Sequence, residues 1–254
     1  MYINYQMFQI NTCNKNFIFK PYPVGSLLNL IDPEIYNKFV EEFPKKELFE
    51  FKKDLGKKFS LSEINNRQVY FNFIKENKLW FSFFKYIKSE KFKYEIFNML
   101  KENNIDLGII NKREELKRNT IKEFIKNLFI KKKKINSRFE FSMMSTNEGH
   151  ILPHTDSANK LVTIVIPILK KNEWKKDWGG NTSILEPLDE KKNYNYANKY
   201  LKFNEVKVIN EMEFKENSST IFIKTFNSFH CVFPMKGPED QLRKSLTINI
   251  ELKN

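Results

Sequence analysis

The sequence predicts an α+β protein of one domain, residues 1–254, in which a mainly helical segment (1–135) supports a β-rich core (136–254). Two observations carry this. Apolar residues of the first half recur three and four positions apart, whereas those of the second half fall in short β-branched runs broken by turn residues. At 254 residues the chain is also long enough to bury most of its apolar surface around one core without cross-links.

Asp32 followed by Pro33 is an N-cap with proline at the first helical position. Ile35, Phe39, Val40 and Phe43 then share one face before Pro44 ends the run, which predicts a helix of about three turns. "NRQVYFNFIKENKLWFSFFKYIKSEKFKYEIFNMLKEN" is dense in aromatics at helical spacing, and "EELKRNTIKEFIKNLFI" sets Leu116, Ile121, Phe124, Ile125 and Leu128 on one stripe. Such stripes are packing faces. "IKKKKIN" (Ile130 to Asn136) reads as an exposed turn or hinge.

The second half offers six strands, "RFEFSMMS" (138–145), "KLVTIVIPIL" (160–169), "NTSIL" (181–185), "VKVI" (206–209), "STIFIKTF" (219–226) and "SLTINIEL" (245–252). Pro167 lacks an N–H, which predicts an edge position or a bulge for its strand. "DEKKNYNYANKYLKFN" is a polar excursion between strands.

Composition removes several function classes. Cys13 and Cys231 are too few for a disulfide framework and point to a reducing, cytoplasmic setting. No apolar run approaches the ~20 residues of a membrane span. The net charge of +13 rests on 44 Lys and Arg, of which only five are Arg (Arg67, Arg113, Arg118, Arg138, Arg243). Phosphate and base readers favour the forked guanidinium, so this excess describes a solvated surface and no specific nucleic-acid partner.

The chemistry concentrates around "LPHTDSANKLVTIVIPIL". Residues two apart on an extended strand share a side, so His154 and Asp156 can converge on one ion while Thr155 turns away. A third ligand must come from elsewhere, and the remaining imidazoles are His150 and His230. His150 precedes His154 by four, a chelating spacing only on a helix, and Pro153 opposes a helix there. On a strand the two would stand about 13 Å apart. His230, in "KTFNSFHCVFPMKG", is left. Two histidines and one aspartate form the facial triad of non-haem iron(II), with open positions for substrate and dioxygen. Cys231, next to His230, points the other way. Further on, Arg243 and Ser245 share one face of the last strand and suit a buried carboxylate.

The ordered set His154-Thr-Asp156, His230 and Arg243-Lys-Ser245 resembles the iron(II)- and 2-oxoglutarate-dependent dioxygenases, in particular their prolyl-hydroxylase-like branch. "WGGNTSIL" is similar to that family's Gly-Gly turn into a strand, and "IDPEIYNKFVEEFP" and "LWFSFFKYIKSEKFKYEIFNML" to its helices before the barrel. The resemblance implies a double-stranded β-helix, a jelly-roll or cupin-like barrel buttressed by N-terminal helices. It implies Fe(II) on His154, Asp156 and His230, and dioxygen as co-reactant. It also implies 2-oxoglutarate with its far carboxylate on Arg243 and Ser245. The expected reaction hydroxylates an unactivated C–H of a small molecule, a peptidyl residue or a saccharide-type substrate, releasing succinate and carbon dioxide.

Many relatives carry a cosubstrate-binding tyrosine on the strand before His-x-Asp; here Met143 or Met144 stands in that region. Thr163 and Asn181 are candidate donors near the iron, and Arg138 a candidate for the pocket. Trp174 and Trp178 form either a substrate lid or a hydrophobic plug. The competing readings are a non-catalytic cupin-type binding protein and a nucleic-acid-modifying oxygenase. The second lacks the additional arginine after Arg243 that the demethylating branch carries.

Overall fold

The computed structural model describes residues 8–13, 15–53, 56–107 and 134–253. Helix α1 (Pro33–Glu41) begins where expected, the Asp32 carboxylate accepting from the backbone N–H groups of Glu34 and Ile35 (3.0 and 3.3 Å). The long aromatic stretch divides into α2 (Arg67–Glu76), α3 (Lys78–Lys88) and α4 (Glu90–Glu102). It breaks at Asn77 and Ser89 because each caps the helix that follows, accepting from Trp80 N and Phe92 N. The stripe at 114–130 and the first part of "IKKKKIN" lie outside the described residues; Lys134 to Asn136 are not a turn but the start of a strand.

Two antiparallel sheets follow from the described strands. The larger runs β1 (Lys15–Ile18), β2 (Val24–Leu28), β10 (Ser218–Ile223), β7 (Lys160–Pro167), β12 (Leu242–Lys253), β5 (Lys134–Ser145), β4 (Lys58–Ser62) and β3 (Glu50–Lys52). The smaller runs β6 (Ile151–His154), β11 (His230–Val232), β8 (Thr182–Pro187) and β9 (Val206–Met212). From β5 to β12 the chain passes back and forth between the sheets, which is the winding of a double-stranded β-helix. The α+β architecture and the barrel are those expected.

Two expectations are corrected. Residues 1–135 are not mainly helical support alone, since β1 to β4 lengthen the larger sheet at both edges by pairing with β10 and β5. "VGSLL" does not alternate and the alternation of "KFSLS" spans only five residues, so pairing with β10 and β5 decides their conformation. Pro167 marks neither an edge nor a bulge. Its strand lies between β10 and β12, and Pro167 is its last residue, with the Tyr36 hydroxyl donating to its carbonyl (3.0 Å).

The larger sheet has two unlike faces. Phe139, Phe141, Met143, Val162, Ile164, Ile166, Leu246, Ile248 and Ile250 join one core cluster with Phe39, Trp80 and Phe83 of the helices. Trp80 stacks on Phe39 (4.3 Å, 13°) and meets Phe141 edge to face (4.7 Å, 84°). The alternate residues, Arg138, Glu140, Ser142 and Met144 on β5 and Arg243, Ser245, Thr247 and Asn249 on β12, therefore face the smaller sheet. That polar inner face is where the site residues sit. Among the described residues no helix is long and apolar enough to cross a membrane.

Candidate metal centre

His154 ends β6 and His230 begins β11, and the two are Cα partners in that ladder. Their rings stand 4.4 Å apart. Asp156 joins them by a route other than strand alternation. β6 stops at His154, and Asp156 adopts a left-handed backbone (φ 69°), which aspartate tolerates better than most residues. The turn brings Asp156 Oδ1 to 3.7 Å from His154 Nε2. One ligand atom from each of His154, Asp156 and His230 lies within 4.8 Å of the others.

Hydrogen bonds through Nδ1 orient both rings. His154 Nδ1 lies 2.9 Å from the Leu152 carbonyl and His230 Nδ1 2.9 Å from the Ser228 carbonyl. A carbonyl only accepts, so each Nδ1 carries a proton and each Nε2 is the nitrogen left to face the ligand cluster. Burial, then the neighbouring His154, pushes His230 down to about 3, so its ring stays neutral near pH 7. Phe222 stacks on that ring (4.3 Å, 20°), and the Tyr22 hydroxyl donates to the Phe229 carbonyl (2.8 Å) beside it. Burial pushes the Asp156 carboxyl up, but Lys160, His154 and His230 outweigh it and hold the group well below the usual carboxylate range. Lys160 Nζ donates to Asp156 Oδ1 (2.7 Å) and Thr163 Oγ1 to Asp156 Oδ2 (2.9 Å).

His150 is not part of the cluster: its Nδ1 bonds the Glu148 carbonyl and its ring packs on Phe203 (5.7 Å). Cys231 is buried among Leu185, Val206 and Phe229, away from the ligands.

Arg243 and Ser245 are buried on the inner face of β12. Arg243 Nε donates to the Gly180 carbonyl (2.8 Å), and its guanidinium lies over the Phe214 ring (4.2 Å). Among the described residues it has no carboxylate partner, and burial alone pushes it down to about 9. The Gly-Gly turn shapes this corner. Gly180 has φ 86°, and a Cβ there would meet Trp174 at 2.8 Å. Trp174 packs on Phe214 (4.7 Å) and Trp178 (5.4 Å), and its indole N–H bonds the Gly179 carbonyl (2.8 Å). Trp174 thus packs, with Trp178 and Phe214, at the corner of the barrel that holds Arg243. Met144 faces inward with Val232 and Met235, whereas Met143 joins the helical core.

Several neighbours escaped the sequence reading. Ser142 is the Cα partner of Ser245, is buried, and its hydroxyl has no partner. Lys160 reaches Asp156 across a turn that no periodicity reveals. Tyr200 comes from the polar excursion, which is fastened to the ligand segment by Thr155 N to Asn198 Oδ1 (3.1 Å) and Thr155 Oγ1 to the Asn195 carbonyl (2.7 Å). Its ring, half-exposed, lies 5.7 Å from that of His154. Of the other candidates, Asn181 bonds Glu211 and Phe214 N instead of the centre, and Arg138 pairs with Glu251 (3.0 Å) and Glu140 (3.6 Å).

No protein-family model and no curated protein matches the chain. Solved structures do. A Pseudomonas putida prolyl-4-hydroxylase superposes with a TM-score of 0.53 at 10% identity, covering 91% of this chain and 92% of that one. A Trichoplax adhaerens prolyl hydroxylase, in complex with a hypoxia inducible factor oxygen degradation domain peptide fragment, gives 0.49 at 10% identity, covering 90% and 83%. At such identity the first likeness is one of fold, and it agrees with the double-stranded β-helix traced above.

Proposed function

We propose that this single domain is an iron(II)- and 2-oxoglutarate-dependent dioxygenase that hydroxylates an unactivated C–H bond of a small-molecule, peptidyl or saccharide-type substrate. The observation that carries it is the convergence of His154 Nε2, His230 Nε2 and the Asp156 carboxylate, in a barrel shared with a prolyl-4-hydroxylase.

The donor set fits iron(II). Two imidazoles and one carboxylate leave part of an octahedron open, whereas structural zinc sites are closed by four ligands, often sulfur. The Nδ1 bonds to Leu152 and Ser228 carbonyls orient the rings and raise their basicity. The second half of the fit is Arg243, a buried cation that has no carboxylate partner among the described residues. It suits the distal carboxylate of 2-oxoglutarate, with Ser245 beside it and the Ser142 hydroxyl in place of the absent tyrosine.

Iron bound there, with 2-oxoglutarate and dioxygen, supplies the oxidising power for attack on a C–H bond. The chain does the rest. His154, Asp156 and His230 set the coordination geometry, and the charge of Asp156 offsets part of the metal's own. Arg243 anchors the cosubstrate electrostatically, strengthened by its burial. Trp174, Trp178 and Phe214 keep water from that end of the barrel. The substrate enters at the other side, where Tyr200 borders His154.

Anaerobic reconstitution with iron(II) and 2-oxoglutarate is expected to give a weak visible charge-transfer band that Asp156→Ala abolishes. A band that survives in the variant defeats the ligand assignment. A wild-type protein with neither the band nor metal-dependent decarboxylation of 2-oxoglutarate is a binding barrel instead.

A further inference from the structure

The Asp156 carboxylate is held on its outer side by two side chains that belong to neighbouring strands. Thr163 on β7 and Asn249 on β12 are Cα partners in the larger sheet, and both are buried. Thr163 Oγ1 lies 2.9 Å from Asp156 Oδ2 and 3.3 Å from Asn249 Oδ1. A threonine hydroxyl has a single proton, and a carboxylate oxygen and an amide oxygen are both acceptors. The proton goes to the nearer, charged oxygen, a bond roughly twice as strong as one to a neutral amide. Two acceptor oxygens facing each other in a buried site repel. The structure places Asn249 Oδ1 toward Thr163; the two amide orientations have nearly the same shape, and turning the amide over, with its NH2 toward Thr163, removes the repulsion.

We infer that Asn249 and Thr163 form a one-way hydrogen-bond relay, Asn249 Nδ2–H to Thr163 Oγ1 and Thr163 Oγ1–H to Asp156 Oδ2, that orients Asp156 for metal binding. The inference rests on the proposed metal role of Asp156. The relay occupies Oδ2 and so turns Oδ1, which lies 3.7 Å from His154 Nε2 and also accepts from Lys160 Nζ (2.7 Å), toward the ligand cluster. It also explains how a residue in a left-handed turn just beyond a strand end (φ 69°) keeps a fixed side chain. Asp156 owes its place to the rigid ladder of the opposite sheet and not to the loop that bears it. Thr163 and Asn249 are positioning residues, since each acts through Asp156.

The test uses the full-length protein and cobalt(II), whose visible spectrum reports both affinity and coordination. Wild type is expected to bind with a ligand-field spectrum of two nitrogens and a carboxylate. Thr163→Val keeps the shape, loses the donor, and is expected to weaken cobalt binding by about 10- to 100-fold with an altered spectrum. Thr163→Ser restores the hydroxyl and should return affinity to within about threefold of wild type, a rescue that a packing role does not give. Asn249→Asp presents an acceptor where the relay needs a donor, draws the Thr163 proton away from Asp156, and should weaken binding as much as Thr163→Val. Far-UV dichroism and melting temperature establish folding for each variant, and Asn249→Asp decides the matter should Thr163→Val fail to fold. Wild-type affinity and spectrum in Thr163→Val, or in a folded Asn249→Asp, overturn the relay while the metal site stands. A wild-type protein that takes up no cobalt overturns the metal site and the relay together.

Discussion

His154 and His230 face each other as Cα partners across the β6–β11 ladder, with ring centroids 4.4 Å apart. Each is buried or nearly so, each ring is fixed through Nδ1, and a site left with two ligands holds a divalent ion poorly. His154→Ala and His230→Ala are expected to lower iron(II) affinity by at least about 100-fold, while His150→Ala leaves it unchanged. Calorimetric titration under anaerobic conditions checks all three; metal loss in the His150 variant argues against the triad.

Arg243 stacks on Phe214 and is tied to the Gly180 carbonyl through Nε, so its remaining donors are aimed by the protein before any ligand arrives. Charged hydrogen bonds of about 1.5–3 kcal/mol correspond to roughly 10- to 100-fold in affinity. Arg243→Ala should raise the KM for 2-oxoglutarate by that factor, and Ser142→Ala by a smaller one. An unchanged KM in the arginine variant removes the anchor role.

Tyr200 stands beside His154 on an excursion bonded to Thr155. Loops on a rigid scaffold carry recognition. Tyr200→Ala should therefore weaken substrate binding several-fold and leave substrate-independent 2-oxoglutarate turnover near wild type. Equal loss of both turnovers assigns Tyr200 to the structure of the centre.

The inner face also holds Glu140, which accepts from Lys58 (2.8 Å). Burial pushes its carboxyl up, but Lys58, Lys160 and Arg138 outweigh this and hold it at about 2, against an ordinary 4.5. The unfolded chain thus takes the proton first. Stability from this group is complete above pH 4.5 and is lost as pH falls toward 2. Its ceiling is roughly 3 kcal/mol. Urea midpoints between pH 5 and pH 2.5 should fall more steeply for wild type than for Glu140→Gln.

Much of this was legible in the chain. His154, Asp156, His230, Arg243 and Ser245 were singled out by residue type and order, and Asp32-Pro33 announced α1. The reason offered for Asp156 was wrong in its geometry, because alternation on a strand cannot foretell that the strand ends at His154 and turns left-handed. β1 to β4 have only three to five residues each and lie among helices, so their pairing with one another, with β10 and with β5 decides them. Thr163 was seen only as a donor somewhere near the metal. Its partner depends on the register between β7 and β12, which exists only once residues 86 positions apart are paired. Ser142 and Lys160 carry no local signal at all.

Strand β12 lies between β5 and β7 and is the last strand of its sheet to leave the ribosome. Until then the nascent chain shows two long unsatisfied edges, the templates on which strands aggregate. It also lacks Arg243, Ser245 and Asn249, so the barrel's inner face acquires its anchor only once β12 has paired. A chain stopped before Leu242 is thus expected to present open edges on both β5 and β7 and to self-associate, rather than to fold with a weakened site.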